Sequence, residues 1–383
     1  MAIVENNKSL FAPPFCEEVE TFIVPIPKSR FECFNGLRIG GGWRYFNQLK
    51  VIQKKNNLYV EVIMTPTKLL NTSKNHTKDS LIKAEMSLDN IIKKRYPYSK
   101  LKMSQPQIMG VINITPDSFY KKSQKSDYKS VKKIFEKMET CGASIIDIGA
   151  ESTRPGAKRI SVSKEKYRAI QIIKSLKEHN FNSLISLDTR NFSTMKSGYE
   201  NGVDIINDIT GFNNKNKIAF VSQNNLPIVV MHMQDNPETM QNNPKYSFAP
   251  IDIYKFFVKK INELVSMGVD KANIVVDPGI GFGKNKFHNL DILRNLSIFH
   301  SLGVPILIGL SRKSLIEELS IDNFKSRGIN KKSINPSKRL SGSIAFAIHS
   351  INNGVQIIRT HDVFETNQAL ICQRALILSL IHI

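Results

Sequence analysis

From Gln107 onward the chain alternates between short apolar, β-branched runs and longer stretches whose apolar residues recur three and four apart. The runs occupy residues 108–112, 144–148, 184–187, 205–206, 228–231, 274–276, 306–308 and 355–358. Each is rich in Ile, Val or Leu, too short for a helix, and followed by a polar turn that usually holds glycine, so each reads as a buried strand. Between them the helical period is clearest at 131–141, 253–267 and 364–380, which predicts amphipathic helices. Eight strand–helix units in about 280 residues match a closed (β/α)8 TIM barrel, an α/β fold of about 250 residues. An open doubly wound sheet is the alternative, but it more often carries a G-x-G-x-x-G turn after its first strand, and none is present.

Ahead of Gln107 the pattern changes. Residues 31–64 carry aromatics, a GGG run before Trp43, and the strand-like LYVEVIM from Leu58, which predicts a small, partly β segment. Residues 74–102 are polar and basic, and RYPYSK at 95–100 reads as a linker. The expected division is an N-terminal extension over residues 1–103 and a barrel domain over 104–383. The extension holds no constellation that reads as chemistry, so a packing or dimer-supporting appendage is the expectation.

In a barrel of this kind, function sits on the loops that follow the strands. The residues just past the runs are Asn113, Gly149 with Glu151, Asp188, Asn207 with Asp208, His232, Asp277, Gly309 with Arg312 and Lys313, and Arg359 with His361. The ring is polar almost throughout, which points to one shared site. The stretch ASIIDIGAESTRPGA, residues 143–157, turns from buried strand to polar loop and delivers a Glu, a Ser, a Thr and an Arg to the same end. Asp188, Asn207 and Asp277 suit a flat heterocycle, because a carboxylate accepts two parallel N–H bonds. Capping of the next helix is the competing role for either Asp. Arg154, Arg312, Lys313, Arg359 and His361 suit a departing diphosphate, against a solvated surface role for any one of them. PGIGFGK at 278–284 lacks the spacing GxxxxGK[ST], so it is not read as a nucleotide loop. The histidines form no HxxxH pattern, and His179, His288, His300 and His349 read as structural or exposed. A divalent ion, if present, would be Mg2+ held largely by substrate phosphate oxygens, with Asn113 as a ligand.

Composition changes this picture little. The 383 residues carry 54 Lys and Arg against 33 Asp and Glu, a net charge of +21, but the lysines are scattered among Asn and Ile rather than clustered. Nucleic acid is therefore not the expected partner, while a basic field assists a phosphorylated substrate. Cys16, Cys33, Cys141 and Cys372 make no metal-ligand spacing and are too few for a disulfide framework, which fits a reducing cytoplasm. Neither a signal-peptide core nor an apolar run of membrane-spanning length is found, so a soluble, cytoplasmic protein with no membrane partner is expected.

The blocks MGVINITPDSF from Met109, DIGAESTRPGA from Asp147, SLDT from Ser186, INDITG from Ile206, MHMQ from Met231, DPGIGFGK from Asp277, GLSRKS from Gly309, RLSGS from Arg339 and RTHDV from Arg359 occur in one order. In these blocks the segment from Gln107 to the C-terminus resembles the dihydropteroate synthase family of pterin-binding barrels. The resemblance implies a transferase of folate biosynthesis that joins p-aminobenzoate to 6-hydroxymethyl-7,8-dihydropterin diphosphate, releasing diphosphate and giving 7,8-dihydropteroate. It implies that Asp188, Asn207, Asp277 and Lys313 bind the pterin ring and that Met231 lines its pocket. Asn113, Arg359 and His361 would hold the diphosphate with Mg2+, and Thr153 would touch the same end of the substrate. Arg154, Pro155 and Ser314 would flank p-aminobenzoate. Catalysis would fall to Asp188, Asp277, Lys313 and Arg359, with a cationic pterin stabilised while the loops exclude water. Sulfonamides would compete with p-aminobenzoate, and a homodimer through the later helices is implied.

Two departures stand out. The first loop reads TPDSFYKKSQKS, with Lys121 where the family carries an acid, and Asp117 or Asp127 is expected to compensate. Residues 320–337 are longer than the family pattern and rich in Lys, Asn and Ser, which reads as a solvated insertion. The N-terminal extension shows none of the motifs of the pyrophosphokinase or aldolase sometimes fused to the family. A pterin-dependent methyltransferase is the nearest rival, disfavoured by STRPGA and GLSRKS. A pterin-binding or partner-binding protein with little turnover is the rival from another class.

Overall fold

The computed structural model of the chain describes residues 4–5, 11–56, 58–114, 124–151 and 159–377. The N-terminal unit contains β1 (Val4–Glu5), β2 (Glu20–Pro25), the short pair β3 (Leu37–Arg38) and β4 (Tyr45–Phe46), β5 (Leu49–Lys55) and β6 (Leu58–Met64), followed by helices α1 (Pro66–Lys74) and α2 (Lys78–Ile92). Its sheet runs in the order β1-β6-β5-β2. The partly β character expected here is present, including a strand over LYVEVIM. The polar, basic stretch 74–102 holds α2, a helix that was not expected, ahead of the non-helical residues 95–100. Thr77 caps α2 by accepting from the Ser80 N–H, and only Ser80, Ala84, Leu88 and Ile91 are buried. That narrow stripe, half of it small residues, left the apolar period too faint to read.

The two-residue alternation of the strands divides the N-terminal sheet between two cores. Ile23, Leu49, Val51, Val62 and Met64 pack with Leu69, Leu88 and Ile91 of α1 and α2. Phe22, Val24, Ile52 and Tyr59 join the barrel's own core instead. They cover a 3-10 helix, Leu296–Leu302, in which every residue is buried. Trp43 Nε1 donates to Ile351 O at 3.0 Å, Arg95 donates to His300 O at 2.9 Å, and Ser301 Oγ donates to Ile23 O at 2.6 Å.

The barrel strands are β7 (Gln107–Asn113), β8 (Ile145–Gly149), β9 (Leu184–Asp188), β10 (Ile205–Asp208), β11 (Ile228–Met231), β12 (Ile274–Asp277), β13 (Leu307–Gly309) and β14 (Ile357–Thr360). All neighbours are parallel, in the order β12-β11-β10-β9-β8-β7-β14-β13. A parallel bridge from Val276 to Ile306 joins the two ends, which closes the barrel. Each of the eight apolar runs contributes to one of these strands, and the helices expected near 131–141, 253–267 and 364–380 are found at Gln124–Thr140, Ala249–Ser266 and Val363–Ile377.

The interior is layered. Met109, Ile145, Leu184, Ile205, Val229, Val275, Leu307 and Ile357, one from each strand, form an apolar cluster with Tyr98, Leu101 and Met103 beneath them. Because strand side chains alternate, the residues two positions on face the same interior one step higher. They are Val111, Asp147, Ser186, Asn207, Met231, Asp277, Gly309 and Arg359. An apolar plug thus supports a polar floor.

Candidate active site

Five of the sequence-predicted residues reach this floor and its rim from different strands. Asn207, Met231 and Asp277 end or nearly end β10, β11 and β12, Arg359 lies in β14, and Asp188 ends β9 one step higher. Gly149 leaves room above them: a Cβ there would lie 3.4 Å from Asn113 Oδ1 and 3.8 Å from Asp188 Oδ2.

Asp147 and Asp188 share one cation. Arg359 donates from Nε to Asp147 Oδ2 at 2.8 Å and pairs through NH2 with Asp147 at 2.7 Å and Asp188 at 3.1 Å. Burial opposes the charge on its guanidinium, but Asp147, Asp188 and Asp277 outweigh burial and raise its pKa. Asp188 is pushed up to about 7, chiefly by burial and then by Asp147, against the pull of Arg359. Asp277 is raised by burial, moderated by the Gly279 N–H that its Oδ1 accepts at 2.8 Å and by Lys313, Arg359 and Lys284. Asn207 donates from Nδ2 to Asp147 at 3.2 Å, which fixes its amide and leaves its carbonyl oxygen for a ligand.

Lys313 immediately precedes the helix Ser314–Ser326 without a side-chain capping bond, and its Nζ sits 4.1 Å from the centroid of the Phe282 ring. His361 meets Ser311 Oγ through Nδ1 at 3.1 Å and Asn113 Nδ2 through Nε2 at 3.4 Å. Ser314 is exposed at the start of its helix. Thr153, Arg154, Pro155 and Lys121 lie outside the described residues, as do Asp117 and the side chain of Asp127.

Some ring members serve the scaffold instead. Arg312 is ion-paired to Asp362, with Nε at 3.0 Å from Oδ2, so it is not a loose cation at the mouth. Glu151 pairs with Arg190 at 3.0 Å, and the fully buried Asp208 pairs with Lys217 at 2.9 Å. His232 is buried against Lys284, where burial and that amine push its pKa well down. Two polar residues escaped the sequence reading: Asp147, with no exposed surface, and Ser186, which donates to Asp147 Oδ1 at 2.6 Å. Both lie inside apolar runs rather than after them. A carboxylate within SIIDIG was the available signal, since an Asp is almost never fully buried without partners. A separate open cavity of about 700 Å3 lies at the rim, lined by His232, Tyr246, Lys245, Asp252 and His288.

A wall of carboxylates and an amide facing an Arg, a Lys and a His suits a neutral heterocycle bearing an anionic tail. The model of the family described as pterin binding enzyme matches residues 109–361. The chain belongs to the pterin-binding enzyme family. Within this family it is 38% identical over 272 residues to dihydropteroate synthase of Escherichia coli strain K12, covering 71% of this chain and 92% of that protein. Dihydropteroate synthase of Haemophilus influenzae is 38% identical over 273 residues, covering 70% and 94%. Among solved structures, Yersinia pestis dihydropteroate synthase in complex with a sulfonamide drug aligns with a TM-score of 0.64 at 35% identity, covering 72% of this chain and 96% of that one. The Xanthomonas albilineans synthase in complex with 7,8-dihydropteroate aligns with a TM-score of 0.62 at 29% identity, covering 72% and 95%.

Proposed function

We propose that this enzyme is a dihydropteroate synthase, condensing p-aminobenzoate with 6-hydroxymethyl-7,8-dihydropterin diphosphate. The observation that carries the reading is the floor where Arg359 pairs with Asp147 and Asp188, Asn207 bonds the same Asp147, and Asp277 stands in the same layer, in a chain of the pterin-binding family. Asp188, Asn207, Asp277 and Lys313 grip the pterin, with Met231 as an apolar wall. Arg359, His361, Asn113 and Thr153 take the diphosphate end. Arg154, Pro155 and Ser314 flank p-aminobenzoate, for which sulfonamides compete. As the C–O bond at the exocyclic methylene breaks, diphosphate leaves with the electron pair and positive charge spreads into the pterin. Asp188 and Asp277 stabilise that charge, the aniline nitrogen adds to the methylene, and its proton is lost to solvent.

Mg2+ fits the donor set in a limited way. Among the described residues no cluster of three or more His, Cys, Asp or Glu could hold a metal ion. Asn113 engages His361 through Nδ2, which leaves Oδ1 as one neutral oxygen ligand. Such a site suits an ion held mainly by phosphate oxygens, whose charge would ease departure of the diphosphate.

We further place the enzyme in the cytoplasm as a homodimer. Support for the compartment is that all four cysteines are free, and no described helix is long and apolar enough to cross a membrane. Support for the dimer is the helix Val363–Ile377, which keeps Phe364, Ile371 and Leu376 exposed. The division at residues 103 and 104 is proposed as a functional one, with substrate chemistry confined to the barrel. A turnover assay tests the central reading: diphosphate release should require both the pterin diphosphate and p-aminobenzoate. Pterin binding without release would instead identify a binding module.

A further inference from the structure

Residues 278–284 end in a lysine that a phosphate loop would present to its ligand. Lys284 is instead 2% exposed, and its Nζ is enclosed by protein acceptors. It donates to Phe282 O at 2.8 Å, Gly279 O at 2.9 Å and His232 O at 3.2 Å, and it lies 3.1 Å from His232 Nδ1. These atoms come from two loops, the one after β11 and the one after β12. The loops touch backbone to backbone: a Cβ on Gly279 would lie 2.1 Å from His232 O, and one on Gly283 would lie 2.7 Å from Gln234 O. Gly279, Gly281 and Gly283 all have φ between 60° and 79°, a path that L side chains follow only under strain.

The other face of this loop carries site residues. Asp277 Oδ1 is held by the Gly279 N–H at 2.8 Å, and Phe282 presents its ring to Lys313 at 4.1 Å. We propose that Lys284 is a positioning residue for the pterin wall, fastening the carbonyls of His232, Gly279 and Phe282 so that the Asp277 carboxylate and the Phe282–Lys313 pair keep their aim. The inference rests on the reading of Asp277 and Lys313 as pterin contacts.

Three carbonyl oxygens accept from Nζ, a setting that suits an ammonium with three N–H groups. Burial lowers the pKa of Lys284 to about 7, and Asp277 works in the opposite direction. Without this amine, the carbonyls of His232, Gly279 and Phe282 lose their donor, and the loop would reopen to hydrate them. Lys284 does not line the nearby rim cavity, so a role for it in binding there is not supported.

The test is a double-mutant cycle on the Kd of the dihydropterin diphosphate, measured by calorimetry on the full chain without p-aminobenzoate. Lys284→Met and Asp277→Asn should each weaken binding about tenfold or more, and the double variant should be no more than about threefold weaker than the poorer single, because both act through one turn. Wild-type affinity in Lys284→Met, or a double loss equal to the product of the single losses, overturns the proposal. If Lys284→Met does not melt cooperatively, Lys284→Gln, uncharged and too short to reach all three carbonyls, takes its place in the cycle under the same criteria. Wild-type affinity in Asp277→Asn would instead overturn the assignment of Asp277, and the cycle against Lys313→Met would then decide the role of Lys284.

Discussion

Asp147 accepts hydrogen bonds from Ser186, Asn207 and Arg359 without any exposed surface, so two groups assigned to different parts of the substrate lean on one carboxylate. Replacing it by Asn keeps the shape but leaves Arg359 with Asp188 alone. Losing one partner of a buried charge pair is costly, so kcat/KM of Asp147→Asn should fall about a hundredfold, or about 2.7 kcal/mol. Turnover within threefold of wild type would show that Arg359 is held by other means. The same arithmetic of charge bears on Asp188, because one guanidinium cannot neutralise both Asp147 and Asp188. With its pKa at about 7, Asp188 becomes a full carboxylate only above neutrality, and pterin affinity should weaken as pH falls from 8 to 6. Asp188→Asn should remove that component of the pH profile; an unchanged profile would assign it to the ligand. The linkage to folding has the opposite sense, since a carboxyl raised in the folded state favours folding at low pH. That contribution is lost as pH rises from about 4 to about 7.

At the level of elements, strands were legible and their inward register was only half so. Runs of Ile, Val and Leu marked all eight strands, because a buried parallel sheet leaves little room for other residues. The first polar residue after a run is a sound guide to strand tips, and it found Asp188, Asn207 and Asp277. It missed Asp147 and Ser186 because the closed barrel also buries polar groups inside the runs, where alternation rather than position decides which way they face. The loop after β12 shows the same limit. Its glycines were visible, but their purpose was not, since the constraint comes from a second loop distant in sequence. Gly279→Ala should accordingly cost roughly 3 kcal/mol, combining left-handed strain with a Cβ placed against His232 O. Urea unfolding of the full chain measures it, and a loss below about 0.5 kcal/mol would show that the two loops separate easily.

For the whole molecule, the open question in the sequence was whether the first hundred residues are an attachment or a part of the fold. The lack of any constellation that reads as chemistry suggested an attachment, and α2 went unread because its buried stripe is half small residues. Packing argues for a part. Tyr98, Leu101 and Met103 fill the lower end of the barrel below the eight-residue apolar layer, and Phe22, Val24, Trp43, Ile52 and Tyr59 belong to the barrel core. Five such side chains contribute about 1.5–3 kcal/mol each, on the order of 10 kcal/mol together, which rivals the 5–15 kcal/mol that typically separates folded from unfolded domains. Tyr98, Leu101 and Met103 lie at the end of the barrel opposite the polar floor, so these three bear on stability rather than on substrate directly. A chain starting at Ser104 should therefore retain all the groups that touch substrate and still fail to fold cooperatively. Thermal melting and two-substrate turnover of that chain against the full one make the comparison. Adding the separately expressed segment 1–103 should restore activity only if it docks on the Leu296–Leu302 helix. A Ser104 chain that melts sharply and turns over at the full rate would mean that the barrel holds its own lower end closed, and that the N-terminal unit is dispensable to it.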